Sequence, residues 1–249
     1  MNIKIFILKI VVNNSALFKP YARHWMKPIC QFLVSRETGG KGFHYFLRDL
    51  CTLLIQWSEE YSPDDTEYEN LCSQVMNYLI MQAADKSKLI FNINIEILAT
   101  LMLKWKHLIT IDKQLLEKML MVSDSKEGSH LYKMTGIQVL ALAVSFNVSV
   151  LTADELKAKR EAGSKVAGEF KIDSENDRLF KSLLSLQDLR KKQLIFASSE
   201  ALGKILGHQP ELLIKALDFI RLNEQKESRH DIYVNVIERI TRYFPEMLV

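Results

Sequence analysis

An eight-residue pattern that occurs twice constrains the fold of this chain more than any other feature. Residues 50–57 read L-C-T-L-L-I-Q-W, and 48 positions later residues 98–105 read L-A-T-L-M-L-K-W. A looser third copy, V-L-A-L-A-V-S-F, occupies residues 139–146 and has phenylalanine in the place of the tryptophan. The first two copies align without a gap and share leucine, threonine, leucine and tryptophan, which pairs Leu50, Thr52, Leu53 and Trp57 with Leu98, Thr100, Leu101 and Trp105.

A recurrence at roughly 40 to 47 residues is typical of stacked HEAT or armadillo repeats, in which each unit contributes a pair of helices. Such a pair has an apolar face that it cannot bury alone, so it stacks on its neighbour. The sequence therefore predicts an all-α fold, an α-solenoid of HEAT/armadillo-like helical pairs with about eleven helices. We expect the repeated apolar residues to pack between repeats, with a ligand-stacking role for the tryptophans as the alternative; these residues are Leu50, Leu53, Trp57, Leu98, Leu101, Trp105 and Phe146.

The composition divides the chain into three parts. Residues 1–146 and 177–249 read as HEAT-like repeats, whereas residues 147–176 hold few large apolar side chains and many charges. We interpret this middle part as a polar insertion between the two helices of a repeat, with a solvated helix near residues 152–162. No polar capping helix stands at either end, so we expect one continuous solenoid segment of a longer chain.

The first helices carry two local ambiguities. Residues 3–12 predict a helix, with a strand as the alternative because of their β-branched content. The helix predicted over residues 16–35 contains Pro20 and Pro28, and we expect Pro28 to kink or divide it.

Composition and motifs argue against several classes of function. The net charge of +3 is too small to indicate nucleic-acid binding by itself. No apolar run approaches the roughly 18 to 20 residues of a membrane span. Cys30, Cys51 and Cys72 lie in helix-like apolar stretches and read as core residues of a reducing compartment. Because no His/Cys cluster has zinc-ligand spacing, we expect no metal, no cofactor and no small-molecule ligand.

The sequence predicts no catalytic residue, and hence no enzyme. The glycines of residues 39–42 fail the phosphate-loop pattern, since Ser35 replaces its first glycine and Gly42 its final Ser/Thr. The H-R-D and D-F-G triplets of protein kinases do not occur, and the six histidines are scattered without carboxylate or cysteine partners. Two basic clusters are candidates for weak phosphate contact, although a solvated face is the favoured interpretation of both; they are Lys157, Lys159 and Arg160, and Arg190, Lys191 and Lys192.

Several islands of sequence resemble one family of large kinases. The first and strongest is N-N-S-A-L-F-K-P-Y-A-R-H-W at residues 13–25, and the others follow in the same order. Together they resemble the catalytic subunits of DNA-dependent protein kinase, of the phosphatidylinositol-3-kinase-related group, in the helical-repeat cradle before the kinase domain. Residues 1–12 lie outside the clear match, which is weakest across 147–176. The later islands are N-I-E-I at 94–97 with Trp105 and Lys106, G-I-Q-V-L at 136–140, A-L-G at 201–203 and Y-F-P at 243–245.

The resemblance implies a function that composition and periodicity do not. It implies a segment of a giant nuclear serine/threonine kinase that the Ku heterodimer recruits to DNA ends for double-strand break repair by non-homologous end joining. Its partners would be the remainder of the parent chain and, through it, Ku and DNA ends. No position matches the kinase active-site motifs, so no catalytic residue is carried over. The alternative is a free-standing HEAT-like adaptor that binds a partner helix or peptide in its groove.

Overall fold

The computed structural model describes residues 3–35, 44–59, 66–125, 127–163, 167–174, 177–186 and 192–224, together with Val234, Ile237, Glu238, Thr241 and Arg242. The chain forms two compact units, Met1–Ile111 and Asp112–Val249. Described residues are overwhelmingly helical, which confirms the predicted all-α class. Among them the regular strands are two three-residue pieces, β1 (Thr110–Asp112) and β2 (Ser149–Leu151).

Unit 1 consists of two stacked helical pairs preceded by a further helix. Within it α3 pairs with α4 and α5 pairs with α6, while α3 stacks on α5 and α4 stacks on α6. The 48-residue recurrence therefore equals the step from one pair to the next, and its two copies end the equivalent helices α4 and α6. The elements are α1 (Ile3–Asn13), α2 (Ser15–Phe18), a 3₁₀ turn (Lys19–Tyr21), α3 (Ala22–Val34), α4 (Tyr45–Trp57), α5 (Thr66–Gln82) and α6 (Lys88–Trp105).

Unit 2 repeats this arrangement with shorter first helices. Here α7 pairs with α8 and α10 pairs with α11, while α7 packs against α10 and α8 against α11. The Asp112 carboxylate caps α7 by accepting from the backbone N–H of Gln114 at 2.9 Å. The elements are α7 (Lys113–Leu120), α8 (Ser129–Phe146), α9 (Ala153–Glu161), α10 (Arg178–Ser185), α11 (Lys192–His208), a 3₁₀ turn (Pro210–Leu212) and α12 (Leu213–Glu224).

The first helices resolve the two local ambiguities. Residues 3–13 form a helix, not a strand. The chain breaks at Pro20, inside the 3₁₀ turn, whereas Pro28 lies within an uninterrupted α3, so the expected division at Pro28 is wrong and a kink there stays a prediction. Pro28 lacks the N–H that would bond the carbonyl four residues earlier, at His24. Both residues are solvent-exposed, so water can satisfy that carbonyl and the helix continues.

The insertion of residues 147–176 lies at a different point between the helices from the one that the sequence suggests. It joins α8 to α10, which belong to different packed pairs, and therefore links one pair to the next instead of dividing a pair. Its predicted helix is confirmed as α9, which Thr152 and Glu155 begin with a capping box. In the part of the chain that the structure describes, no helix is both long and apolar enough to span a bilayer.

Candidate functional site

The interface between α4 and α6 is the surface that the sequence repeat builds. Leu50, Leu53 and Trp57 of α4 are no more than 2% exposed. Their counterparts on α6 are buried as deeply: Leu98, Leu101 and Trp105. These large apolar side chains therefore belong to the core of unit 1, and their packing between consecutive repeats stays a prediction.

One hydrogen bond fixes the end of this interface. The indole Nε1 of Trp105 donates to the Ser58 hydroxyl oxygen at 2.8 Å, across 47 residues of sequence. Ser58 is the C-cap residue of α4, and its hydroxyl donates in turn to the Leu54 carbonyl at 2.6 Å. Because Trp105 is 1% exposed, its N–H has no access to bulk water and depends on this partner.

Ion pairs lie at the rim of the stacked helices of unit 1. Lys27 of α3 meets Glu67 of α5 at 2.5 Å, and Lys104 of α6 meets Glu59 just after α4. A hydrogen bond from Lys104, followed by its charge, holds the pKa of the Glu59 carboxyl below its usual value. Exposed pairs of this kind contribute little to stability, so the apolar contact dominates the interface.

The third copy of the pattern differs from the first two. Phe146 ends α8 in unit 2, as predicted from its alignment, but its side chain is only half-buried. It therefore covers less of its neighbours than the two tryptophans do.

The three cysteines form a cluster in the core of unit 1. Cys30, Cys51 and Cys72 are free and fully buried on α3, α4 and α5, which confirms them as core residues. A hydrogen bond with the Cys72 thiol, reinforced by burial, raises the pKa of Cys30, and burial raises the pKa of Cys51. Those two thiols stay protonated at neutral pH, so neither is an activated nucleophile.

A cavity of about 460 Å³ lies between α1 and α3. Its walls are mainly apolar, with Trp25, Pro28 and Phe32 on the α3 side. The polar residues that line it are a lysine, an amide and a hydroxyl, and it has no carboxylate or imidazole to serve as an acid or base. Among the described residues, no group of three His, Cys, Asp or Glu side chains could hold a metal ion.

The structure describes the two basic clusters only in part. Lys157 and Arg160 are exposed on α9, while Lys159 of the same helix pairs with Glu169 at 3.2 Å. Arg190 and Lys191 lie outside the described residues, and Lys192 begins α11. Phosphate contact by these residues stays a prediction.

Sequence reasoning missed a buried ion pair in unit 2. The Lys113 ammonium, on a side chain 9% exposed, lies 2.5 Å from Asp177 and 3.5 Å from Glu155. Burial by itself would lower the pKa of Lys113, but the hydrogen bond and charge of Asp177, aided by Glu155, outweigh it and raise that pKa. Lys113 thereby links the N-terminal ends of α7, α9 and α10. Asp177 caps α10 and Glu155 lies in the first turn of α9, and their convergence on one lysine was not visible in the sequence.

The second half of the insertion was also misjudged. The sequence suggests a solvated, polar stretch, yet Phe170 and Ile172 are 2% and 3% exposed and Val148 and Val150 are equally buried. Asn147, Ser149, His208 and Gln209 hold this half through hydrogen bonds to its backbone. The available signal was the alternation of polar and apolar residues in E-F-K-I at 169–172.

Comparison with known proteins finds two family models that match the chain in order. "DNA-dependent protein kinase catalytic subunit, CC3" matches residues 1–63, and "DNA-PKcs, CC5" matches residues 73–248, well over half of the chain. The chain belongs to the DNA-dependent protein kinase catalytic subunit family. The predicted resemblance is thus confirmed.

Curated members of the family match along almost the whole chain. The DNA-dependent protein kinase catalytic subunit of Xenopus laevis is 27% identical over 98% of the chain, and that of Gallus gallus is 25% identical over 99%. That of Dictyostelium discoideum is 30% identical over 82% of the chain. The chain spans only 6% of the length of the first two relatives and 4% of the third. The similarity therefore concerns the CC3 and CC5 regions of the family.

Proposed function

We propose that this chain is a non-catalytic scaffold segment of a DNA-dependent serine/threonine protein kinase catalytic subunit. It acts in double-strand break repair by non-homologous end joining, in the nucleus, as part of a larger parent chain. Ku and DNA ends are its partners through that parent. The observation that carries the proposal is the ordered match of the CC3 and CC5 models along the chain.

The packing of the described residues supports a mechanical role. The large apolar residues of the repeat, such as Trp57 and Trp105, are buried among the helices, and within each unit one helical pair stacks on the next. Arrays of this kind act through extended surfaces and small cumulative bending. The segment would hold contacts made elsewhere in the parent at fixed distances.

An exposed apolar stripe on α1 supports a further packing partner. Ile3, Phe6, Ile7 and Ile10 recur at helical spacing on this helix, and between 41% and 72% of each side chain is exposed. A neighbouring helical pair of the parent would bury this stripe as α6 buries the face of α4. In the adaptor alternative, a helix of a separate partner would cover it instead.

The first test is the full-length transcript that contains this reading frame. Continuation into a domain with kinase catalytic and metal-binding motifs is the expected result. A stop codon directly after Val249, together with a soluble monomeric product, would refute the scaffold proposal and favour the adaptor.

A functional test uses the parent protein in cells. Trp105→Ala removes the anchor of the repeat interface, and Thr100→Ala, at a half-buried position on the same helix, serves as the control. We expect Trp105→Ala to lower end-joining efficiency, while the purified variant keeps its kinase activity towards a peptide when activation does not require DNA. Unchanged end joining, or an equal loss of DNA-independent kinase activity, would contradict a scaffold role.

A further inference from the structure

Residues 168–172, the clamped segment, lie in unit 2 outside any regular helix or strand. Burial alternates along them, since Glu169 and Lys171 are exposed and Phe170 and Ile172 are buried. This alternation is that of a strand with one face on a core. The described residues nevertheless give it no ladder of backbone hydrogen bonds with another strand, and side chains supply its partners.

Two side chains after α8 hold the first half of the clamped segment. The Asn147 amide donates to the Gly168 carbonyl and its oxygen accepts from the Phe170 N–H, both at 2.8 Å. The Ser149 hydroxyl donates to the Glu169 carbonyl at 2.9 Å and accepts from its N–H at 3.2 Å. Each side chain thus satisfies a donor and an acceptor on the backbone of the segment.

Two side chains at the end of α11 hold the second half. The Gln209 amide accepts from the Ile172 N–H at 2.7 Å and donates to its carbonyl at 2.8 Å. A ring nitrogen of His208 lies 3.1 Å from the Phe170 carbonyl, and the two rings meet edge-on with centroids 6.0 Å apart. Gln209 is itself 5% exposed, so its amide would be left buried and unpaired without the segment.

These contacts follow the rules by which proteins recognise extended peptides. Hydrogen bonds to the backbone provide affinity independent of sequence, and pockets for alternate side chains provide specificity. The receiving groups belong to the ends of α8 and α11, which pack directly against each other. Asn147 is held in place as the left-handed C-cap of α8, with φ 55°. The groove is therefore built by the ends of α8 and α11 with Asn147 and Ser149 at the start of the insertion, and residues 168–172 fill it.

We propose that the ends of α8 and α11 form a peptide-docking groove, at present filled by the chain's own residues 168–172. The partner it fits is an extended protein segment with an aromatic and an aliphatic side chain two residues apart. Lys159 of α9 pairs with Glu169, so a carboxylate immediately before the aromatic residue completes the motif. The docking groove is independent of the scaffold proposal, because it requires only the fold of unit 2.

The clamped segment limits access to the groove. As part of the same chain it is present at an effective concentration of the order of millimolar, so a separate peptide competes poorly with it. A partner gains access when the segment leaves. Removing the two buried side chains should therefore raise the affinity for a separate peptide by about 10- to 100-fold.

The test uses the full chain and a fluorescently labelled peptide with the sequence of residues 165–174, K-V-A-G-E-F-K-I-D-S. The Phe170→Ser/Ile172→Ser double variant empties the groove, and we expect it to bind the peptide at least tenfold more tightly than the unchanged chain does. Adding Gln209→Leu to the double variant should abolish the gain, whereas Gln114→Leu, at an exposed position on α7, should not. A folded double variant that binds this peptide no better than a scrambled one would overturn the proposal.

Hydrogen exchange on the unchanged chain decides the matter even if the double variant unfolds. We expect the amides of Glu169, Phe170 and Ile172 to exchange at least about 100-fold faster than the central amides of α8 and α11, because the segment opens locally. A millimolar excess of the peptide should accelerate them further by occupying the groove. Protection equal to that of α8 and α11, insensitive to the peptide, would mean that the segment is a permanent part of the core and that no docking groove exists.

Discussion

Ser58→Ala is the sharpest test of how the repeat interface is held. The change removes the acceptor of the Trp105 indole N–H, which is 2.8 Å from the oxygen of the half-buried Ser58 and belongs to a residue only 1% exposed. Leaving a buried donor without a partner costs about 1–3 kcal/mol, more than the net value of the hydrogen bond itself. The Leu54 carbonyl loses its bond from the Ser58 hydroxyl but keeps the bond from the Ser58 backbone N–H at 2.9 Å. The penalty therefore comes mainly from the indole.

Ser35→Ala is the matched control. Ser35 is the C-cap residue of α3, more exposed than Ser58, and its hydroxyl donates to the Phe32 carbonyl at 2.7 Å. It thus makes a similar local bond, to the carbonyl three residues earlier instead of four, without an indole that depends on it. The difference in unfolding free energy between the two alanine variants gives the cost of leaving the indole N–H without an acceptor, and we expect this cost to be about 1–3 kcal/mol.

Tryptophan fluorescence provides an assay that reports on unit 1 alone. The three tryptophans of the chain, Trp25, Trp57 and Trp105, all lie in that unit. In a urea titration with a slope of about 2 kcal/mol per molar, a loss of 2 kcal/mol lowers the midpoint by about 1 M. The slope itself should stay unchanged, because the surface exposed on unfolding is the same.

Equal midpoints for Ser58→Ala and Ser35→Ala would refute the reasoning. A second check replaces Trp105 by phenylalanine, which has no donor. In that background Ser58→Ala should cost no more than Ser35→Ala costs in the unchanged chain, and the coupling energy of the cycle should be about 1–2 kcal/mol. A coupling energy near zero would show that the indole finds another partner, such as a trapped water molecule.

Three further predictions concern unit 2. Asp177→Ala leaves the buried Lys113 ammonium without its nearest carboxylate and should destabilise the unit by about 3–5 kcal/mol. The measurement is thermal or urea unfolding followed by circular dichroism, in which Asp173→Ala, at an exposed position, should change the stability little. Partial burial tends to raise the pKa of Glu155, but hydrogen bonds from the N-cap residue and the charge of Lys113 hold this pKa below its usual value. The Glu155 carboxylate therefore contributes to stability above about pH 4.5, and this contribution is lost as the pH falls through the lowered pKa. The stability difference between the unchanged chain and Glu155→Gln should therefore shrink on acidification from pH 7 to 3, and a constant difference would contradict this. Gly136→Ala should destabilise by about 1 kcal/mol despite the better helix propensity of alanine, because its Cβ would come within 3.2 Å of α7 side chains; a more stable variant would show that α7 can move away.

The sequence predicted the helical architecture because the relevant signal is local. Apolar residues at helical spacing mark the face of a helix that must be buried, and a recurrence after 48 residues marks the step between pairs. Leu50 and Trp57 of α4 and Leu98 and Trp105 of α6 are accordingly fully or almost fully buried. The resemblance to the kinase family was also readable from contiguous residues, beginning with 13–25.

The same local reasoning failed where the outcome depends on surroundings. Pro28 was expected to break a helix, but exposure of that face makes the missing hydrogen bond tolerable. The insertion was interpreted from its average polarity. That average does not reveal Phe170 and Ile172, two apolar side chains that are almost fully buried and anchor the insertion. The average composition of a segment does not show whether two of its apolar residues pack into a groove formed by other parts of the chain.

The sequence by itself therefore determined the all-α class, the pairing step and the family of this chain, since each is written in residues close together along the chain. Only the tertiary structure decided the partners of the polar groups. Asn147 forms a hydrogen bond with a carbonyl 21 residues away, and Gln209 forms one with a backbone N–H 37 residues away. Lys113 forms ion pairs with carboxylates at the N-terminal ends of two later helices. An amide or an ammonium can bond to any accessible backbone or carboxylate, so its partner is selected by which segments the apolar core brings within about 3 Å. These pairings leave no periodic pattern in the sequence, and they form only once the helices have packed.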